Sequence, residues 1–155
     1  MSLLVIGLGN EFRGDDIAGL LVVRKLELLF ADRQVDFYEH SGEASFLISL
    51  WSENAENSIV FIVDGVSSQD AIGTIHRFDL QQQTLATELF YSTHAFNLAE
   101  AIELARILNQ LPKTIIFYGV TGKNFQIGSE LSLELPKAID KLVEQMFKEI
   151  ENLDF

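Results

Sequence analysis

The sequence contains no cysteine and only two prolines. Without a thiol, the chain can form no disulfide, no thiolate metal site and no cysteine nucleophile. It also lacks an apolar run of the roughly 18 residues that a membrane-spanning helix needs. No basic segment precedes the short apolar stretch at its start, as a signal peptide would require. We therefore expect a cytoplasmic protein with no membrane partner.

Basic residues are also scarce, because 11 Lys and Arg stand against 23 Asp and Glu, for a formal net charge of −12. A nucleic-acid-binding protein needs a basic surface to replace phosphate counterions, and an anionic membrane attracts clustered basic residues. Neither partner is expected here. A length of 155 residues suffices for one domain with its own core. We expect a single domain over residues 1–155 and a monomer.

The sequence does contain apolar strand patterns that alternate with helical ones. Strands are predicted over residues 3–6, 35–38, 59–63, 73–78 and 114–118. Helices are predicted over residues 16–30, 43–51, 94–110 and from Pro136 onward. Three of the strands are apolar throughout and are expected to be covered on both faces, with Gly65 and Gly119 ending two of them. The alternation predicts a three-layer α/β fold around a mostly parallel sheet.

Three side chains that can bind metal fall at the carboxyl edge of this predicted sheet. Asp16 follows the first strand across a glycine turn, Asp64 ends the 59–63 strand, and His94 begins the third helix. Ligands of open α/β sheets bind at this edge, where the strand order reverses. Two carboxylates and one imidazole suit Ni, Zn, Mn or Fe and leave coordination positions open. His40 closes the second strand at the same edge and is a further candidate.

The same residues also have purely structural interpretations. We expect Asp15 to cap the first helix, and Asp16 could complement the dipole of that helix. Asp64 could be a turn residue before Gly65, and His94 could be a helix-start residue that faces water. Residue types and spacing alone leave these alternatives open beside a metal site.

The glycine turn Gly7-Leu8-Gly9 is similar to the start of a dinucleotide-binding fingerprint, in which glycines let the backbone approach a pyrophosphate. The third glycine of that fingerprint would fall at position 12, which is Phe12. The adjacent carboxylates Asp15 and Asp16 would also repel phosphate at a helix start. A nucleotide ligand is therefore not expected.

A longer pattern resembles a known family. Gly7-x-Gly9-Asn10 followed by Gly14-Asp15-Asp16-x-x-Gly19 is similar to the opening of the hydrogenase maturation proteases. These endopeptidases trim the C-terminal extension from the large subunit of nickel–iron hydrogenases. The resemblance continues, in the same order, through Val63-Asp64, Ser92-Thr93-His94 and Tyr118-Gly119-Val120.

The resemblance implies an α/β/α fold with a twisted, mostly parallel five-stranded sheet, of the phosphorylase/hydrolase-like kind. It places Asp16, Asp64 and His94 at the family's metal-contacting positions, with nickel already installed in the precursor as the metal. We also expect Gly9, Asn10, His40 and Gly42 to line the substrate cleft. The attacking species would be water, polarised by the metal or by a carboxylate, for which Asp16 is the candidate.

This chain departs from the family pattern at three positions. Asp16 stands where some members have Glu, which changes the reach of the ligand but not its chemistry. His40 occupies a position that is often aspartate, so an alternative function is a non-catalytic, nickel-sensing assembly chaperone. Gly122 stands where a proline is common, and we interpret this change as drift in a loop.

Overall fold

The computed structural model describes residues 2–52, 58–85, 90–91 and 93–153. Within these residues, strands and helices follow one another along the chain. The elements are β1 (Ser2–Leu8), α1 (Ala18–Leu29), β2 (Val35–His40), α2 (Ala44–Ser52), β3 (Ser58–Ser68), β4 (Ile75–Asp79), β5 (Phe90–Tyr91), α3 (Thr93–Ile107), β6 (Thr114–Gly122) and α4 (Leu135–Glu151). A short 3-10 helix, Gly14–Ile17, precedes α1.

The sheet has the strand order β2-β1-β3-β6-β4, and the two-residue β5 pairs with the end of β3. β1, β2, β3 and β6 are parallel, whereas β4 runs antiparallel to β6 at the edge. The predicted mostly parallel, five-stranded sheet is confirmed, with β5 as a short addition. β2 lies on one side of β1, and β3, the next long strand along the chain, lies on the other side. This reversal opens a crevice at the carboxyl ends of β1 and β3.

Helices cover both faces of the sheet. Alternate residues of β1 point to opposite faces, so that Leu3 and Val5 pack with α1 and α4 while Leu4 and Ile6 pack with α2 and α3. Strands with cores on both sides must be apolar at every position, which explains the continuous apolar runs. The predicted three-layer α/β/α architecture is confirmed. No helix in the described part of the chain is long and apolar enough to cross a membrane.

Two predicted strand ends are wrong. β3 continues through Asp64 and Gly65 to Ser68, and β6 continues through Gly119, which pairs with Asp64. Gly65 is not a strand end. It is glycine because the backbone of another segment occupies the space that a side chain would need. A Cβ on Gly65 would lie 2.7 Å from the backbone oxygen of Asp15. A glycine inside a strand therefore marks a close backbone approach here.

The start of the first helix also differs from the prediction. The chain forms the 3-10 turn Gly14–Ile17 before the α-helix begins at Ala18, so Asp16 lies in the tighter turn. Short 3-10 turns are common at helix starts. This turn carries Asp15 and Asp16 into the crevice beside β3.

Candidate metal centre

Asp16, Asp64 and His94 come together in the crevice at the carboxyl edge of the sheet. One ligand atom from each side chain lies within 4.8 Å of the other two. All three residues are buried, with exposed fractions of 7%, 0% and 8%. They come from the 3-10 turn, from the interior of β3 and from the first turn of α3. Buried ionisable groups are stable only with partners, so this grouping is an unusual feature of the interior.

His94 has a fixed orientation within this group. Its Nδ1 donates to the backbone oxygen of Ser41 at 2.6 Å, and its Nε2 lies 3.1 Å from Oδ2 of Asp16. Burial lowers the pKa of His94, but the Asp16 hydrogen bond and the charges of Asp64 and Asp16 outweigh it and raise the pKa to about 9. Without a metal and below about pH 9, the Nε2–H of His94 therefore donates to Oδ2 of Asp16. A divalent cation would take the place of that proton.

The donor set fits a divalent transition metal. Ligand atoms about 2.0–2.2 Å from a common ion can be at most about 4.4 Å apart, and the three atoms lie within 4.8 Å of one another, so a bound ion would draw them closer together. Two carboxylates and one imidazole supply three ligands. The hydrogen bond from Nδ1 of His94 to a backbone carbonyl is the usual support for a metal-binding imidazole. Other coordination positions are left for ligands from a second molecule.

Asp15, the neighbour of Asp16, does not cap a helix, and this prediction is wrong. Its Oδ1 accepts from Ser132 N at 2.6 Å, and its Oδ2 accepts from Lys123 N, Asn124 N and Ser132 Oγ at 2.6–2.9 Å. Burial raises the pKa of Asp15, but these hydrogen bonds lower it below its ordinary value. Asp15 thus ties the 3-10 turn that carries Asp16 to the loop before α4.

Gly122 belongs to the same arrangement. The interpretation of this residue as loop drift is therefore wrong. It is the last residue of β6, and a Cβ there would lie 2.6 Å from Cβ of Asp15. Only glycine leaves room for the Asp15 carboxylate. The role of Gly122 was hidden from the sequence because its contact lies more than a hundred residues away.

Gly9 and Asn10 shape the turn beneath the centre. The backbone N–H of Gly9 donates to His40 O at 3.1 Å, and a side chain at Gly9 would clash with the Asp16 carbonyl. Asn10 Oδ1 accepts from Phe12 N at 2.8 Å, and Asn10 N donates to Asp16 O at 3.2 Å. The close approach of Asp16 accounts for glycine at position 9, and the side-chain bond from Phe12 N accounts for asparagine at position 10. A contact of either residue with substrate stays a prediction.

His40 and Gly42 lie beside the centre but do not join the group of ligand atoms. The ring of His40 stacks on Phe46, and its Nδ1 accepts from Gly42 N at 3.0 Å. Gly42 has φ +97°, a backbone conformation that favours glycine. A Cβ on Gly42 would lie 3.6 Å from Cβ of His94, so the turn borders the candidate metal-binding histidine.

Comparison with known proteins shows the family to which the chain belongs. Residues 20–152 match the family model described as hydrogenase maturation protease, a range that includes Asp64 and His94. A protein of Methanocaldococcus jannaschii that bears this family's name is 32% identical over 154 residues, covering 97% of both chains. Its match extends over nearly the whole of this chain.

Solved structures with similar folds carry the same family name. The hydrogenase maturating endopeptidase HybD from Escherichia coli has a TM-score of 0.82 at 21% identity, over 97% of this chain and 93% of that one. The [NiFe] hydrogenase maturation protease HybD from Thermococcus kodakarensis has a TM-score of 0.71 at 26% identity, over 96% and 98%. The resemblance predicted from the sequence motifs is confirmed, and the chain belongs to the hydrogenase maturation protease family.

Proposed function

We propose that this protein is a cytoplasmic endopeptidase that removes the C-terminal extension of a nickel–iron hydrogenase large-subunit precursor. In this proposal, the nickel already inserted in the precursor is the feature that the protein recognises. The observation that carries the proposal is the convergence of Asp16, Asp64 and His94 from three separate elements into one buried group. Membership of the hydrogenase maturation protease family supplies the reaction class.

Asp16, Asp64 and His94 would hold the nickel of the bound precursor. The chain has no cysteine, so any thiolate ligand of the ion must come from the precursor itself. A site with three protein ligands suits this arrangement, because it is incomplete until substrate arrives. Nickel held there would act as a Lewis acid beside the peptide bond to be cut.

The protein side of the reaction requires a group that takes a proton from water. We assign this role to Asp16, because its carboxylate has two oxygens, and one can take the proton while the other holds the ion. Water adds to the carbonyl carbon of the scissile bond, the carbon–nitrogen bond breaks, and the proton passes to the leaving nitrogen. Asp64 and His94 would keep Asp16 oriented and the ion in place.

A gel mobility assay tests the proposal. Nickel-loaded precursor is incubated with the protein beside a nickel-free precursor, and a downward shift is expected only in the nickel-loaded lane. Asp16→Asn and Asp64→Asn should each abolish the shift while remaining folded. Asp32→Asn is the matched control, because Asp32 is exposed and distant from the site in the chain, and it should cut normally. Unchanged cleavage by both site variants would disprove the ligand assignment.

The alternative of a non-catalytic, nickel-sensing assembly chaperone is favoured by one observation. The position that is often aspartate in the family is His40, whose ring is engaged by Phe46 and Gly42. In the same assay, a chaperone would co-migrate with uncut, nickel-loaded precursor on a native gel. Cleavage of that precursor would exclude the chaperone.

A further inference from the structure

We propose that His40 is a positioning residue for His94, and that it acts through the single peptide bond between Ser41 and Gly42. This inference rests on the metal-binding role given to His94 in the proposed function. His40 is one of the three residues at which this chain departs from the family pattern, and the inference gives it a structural role.

The Ser41–Gly42 peptide is hydrogen-bonded on both sides by histidines. On one side, the Gly42 N–H donates to Nδ1 of His40 at 3.0 Å. On the other side, the Ser41 carbonyl accepts from Nδ1 of His94 at 2.6 Å. In a trans peptide, the N–H and the C=O point in opposite directions within one plane, and no cis peptide is found in the described residues. The peptide plane therefore connects the two rings.

Both ends of this connection are held in place. The His40 ring stacks on Phe46 with a centroid separation of 3.6 Å and an interplanar angle of 7°. Gly42, at one end of this peptide, has a left-handed φ of +97°, which glycine adopts readily. Rotation of the peptide would break both hydrogen bonds together. A bond to His40 thus resists the rotation that would release His94.

The arrangement also fixes which nitrogen of each ring carries a proton. To accept from Gly42, a neutral His40 must carry its proton on Nε2. The Ser41 carbonyl can only accept a hydrogen bond, so Nδ1 of His94 must carry a proton. The Nε2 of His94 then faces Asp16. That Nε2 is the nitrogen that would bind nickel. Hydrogen bonds of this kind set the tautomer and orientation of metal-binding histidines.

Glu43 is the one competing partner for His40 among the contacts found in the described residues. Its Oε2 lies 3.2 Å from Nδ1 of His40, and Ser41 Oγ donates to the same carboxylate at 2.9 Å. A protonated His40 would donate to Glu43 and give up the bond from Gly42. His40 can therefore act as the acceptor for the Gly42 N–H or as the ion-pair partner of Glu43, but not as both at once.

Three variants distinguish these roles. His40→Leu removes the acceptor but keeps an apolar side chain against Phe46. His40→Asn keeps an acceptor oxygen near the position of Nδ1. Glu43→Gln removes the ion pair and leaves the acceptor of His40 intact. Circular dichroism on each variant confirms that it is folded before the comparison.

The first readout is the imidazole ¹⁵N spectrum of the metal-free protein at mildly alkaline pH. Wild-type His40 should show an unprotonated Nδ1. In His40→Leu the nitrogen signals of His94 should move, whereas in His40→Asn and Glu43→Gln they should stay near their wild-type positions. A wild-type His40 with its proton on Nδ1, or unmoved His94 signals in His40→Leu, would overturn the inference. A wild-type His40 with its proton on Nδ1 overturns the inference even if His40→Leu does not fold.

The second readout is titration of the same proteins with Ni²⁺ alone, followed on the His94 signals. Loss of support for a metal-binding histidine typically weakens metal affinity about 10- to 100-fold. We expect that loss in His40→Leu and less than about tenfold in His40→Asn. An equal loss in Glu43→Gln would show that the ion pair, and not the peptide, is responsible. If the signals of wild-type His94 do not change with Ni²⁺, the free protein does not bind nickel at this residue. The ¹⁵N spectrum of the metal-free variants still tests the link from His40 to His94 through the peptide.

Discussion

Asp15 and Asp16 are adjacent carboxylates that serve different purposes at the scale of single residues. Asp16 shares a hydrogen bond with His94 inside the candidate metal centre. Asp15 accepts four hydrogen bonds from Lys123, Asn124 and Ser132 and makes none with the centre. The sequence presents both as acids at a helix start. Hydrogen bonds from the 123–132 loop make Asp15 the anchoring acid, whereas Asp16 is the candidate metal ligand.

Asp15→Asn is expected to destabilise the protein. The asparagine side chain has one acceptor oxygen, so its amide group must face at least one buried N–H that now donates to Asp15. An unsatisfied buried donor costs on the order of 1–3 kcal/mol in the free energy of unfolding. Urea unfolding followed by circular dichroism measures the loss. Asp140→Asn, at an exposed position on α4, is the control and should change stability by less than about 0.5 kcal/mol.

Equal stability of Asp15→Asn and the wild type would contradict the anchoring role. A milder outcome is also informative. If the variant loses stability but still binds Ni²⁺ as the wild type does, then the anchor supports the fold and not the centre.

At the scale of elements, the glycine turn and the 3-10 helix form one packed unit below the centre. Gly9 lies against the backbone of Asp16, and Asn10 N donates to the same carbonyl. The turn is therefore tight because the 3-10 helix occupies the space that a side chain would need. This contact accounts for the motif without any ligand at the turn.

Gly9→Ala should displace Asp16 and weaken the fold. The added methyl group would meet a backbone oxygen, which cannot move aside cheaply. Overpacking of this kind typically costs about 1–3 kcal/mol. Gly119→Ala is the matched control, because its Cβ would meet only side-chain atoms, at 3.2 Å or more. Thermal unfolding of both variants measures the difference, and an equal or larger loss in Gly119→Ala would argue against the tight contact.

The last helix, α4, is held by the regular apolar face that its sequence predicts. Leu142 is fully buried within the core shared with α1. Leu142→Ala should cost about 2–5 kcal/mol in the free energy of unfolding, since it removes buried methyl groups and leaves a cavity. Lys141→Ala, on the exposed side of the same helix, should cost little. Similar denaturant midpoints for the two variants would contradict the assigned face.

At the scale of the whole molecule, α4 is also tied to the sheet by a polar cluster. Arg77 of β4 donates to Glu149 through Nε at 3.1 Å and Nη2 at 2.6 Å, and Tyr118 of β6 donates to the same carboxylate. Burial raises the pKa of Glu149, but the bonds from Arg77 and Tyr118 lower it below its ordinary 4.5. The same surroundings raise the pKa of Tyr118 to about 12, with burial as the leading cause.

This cluster predicts part of the acid sensitivity of the fold. Because the pKa of Glu149 is lower in the folded than in the unfolded state, its stabilisation is present above about pH 4.5 and is lost as pH falls through the folded pKa. Glu149→Gln should be less stable than the wild type at neutral pH, and the gap should narrow in acid. Urea unfolding at a series of pH values tests this. A gap that is constant across pH would show that the charge contributes nothing.

The sequence by itself determined the layers of this protein and the identity of its candidate ligands. Strand and helix periods are local properties, so the alternation along the chain was sufficient for a three-layer α/β/α fold. The position of Asp16 and Asp64 after or within apolar strands placed both at the carboxyl edge of the sheet. The glycine and aspartate motif was long enough to identify the family.

Only the tertiary structure decided the details that surround the ligands. β3 runs past Gly65 because β6 continues to pair with it, and residue 65 is glycine because the Asp15 backbone approaches it. Asp15 bonds to Ser132, which lies 117 residues further along the chain. The Ser41–Gly42 peptide joins His40 to His94, which lies 53 residues after Ser41 in the sequence. Local patterns carry no record of such contacts, because each depends on two distant segments that meet only when the sheet closes around them.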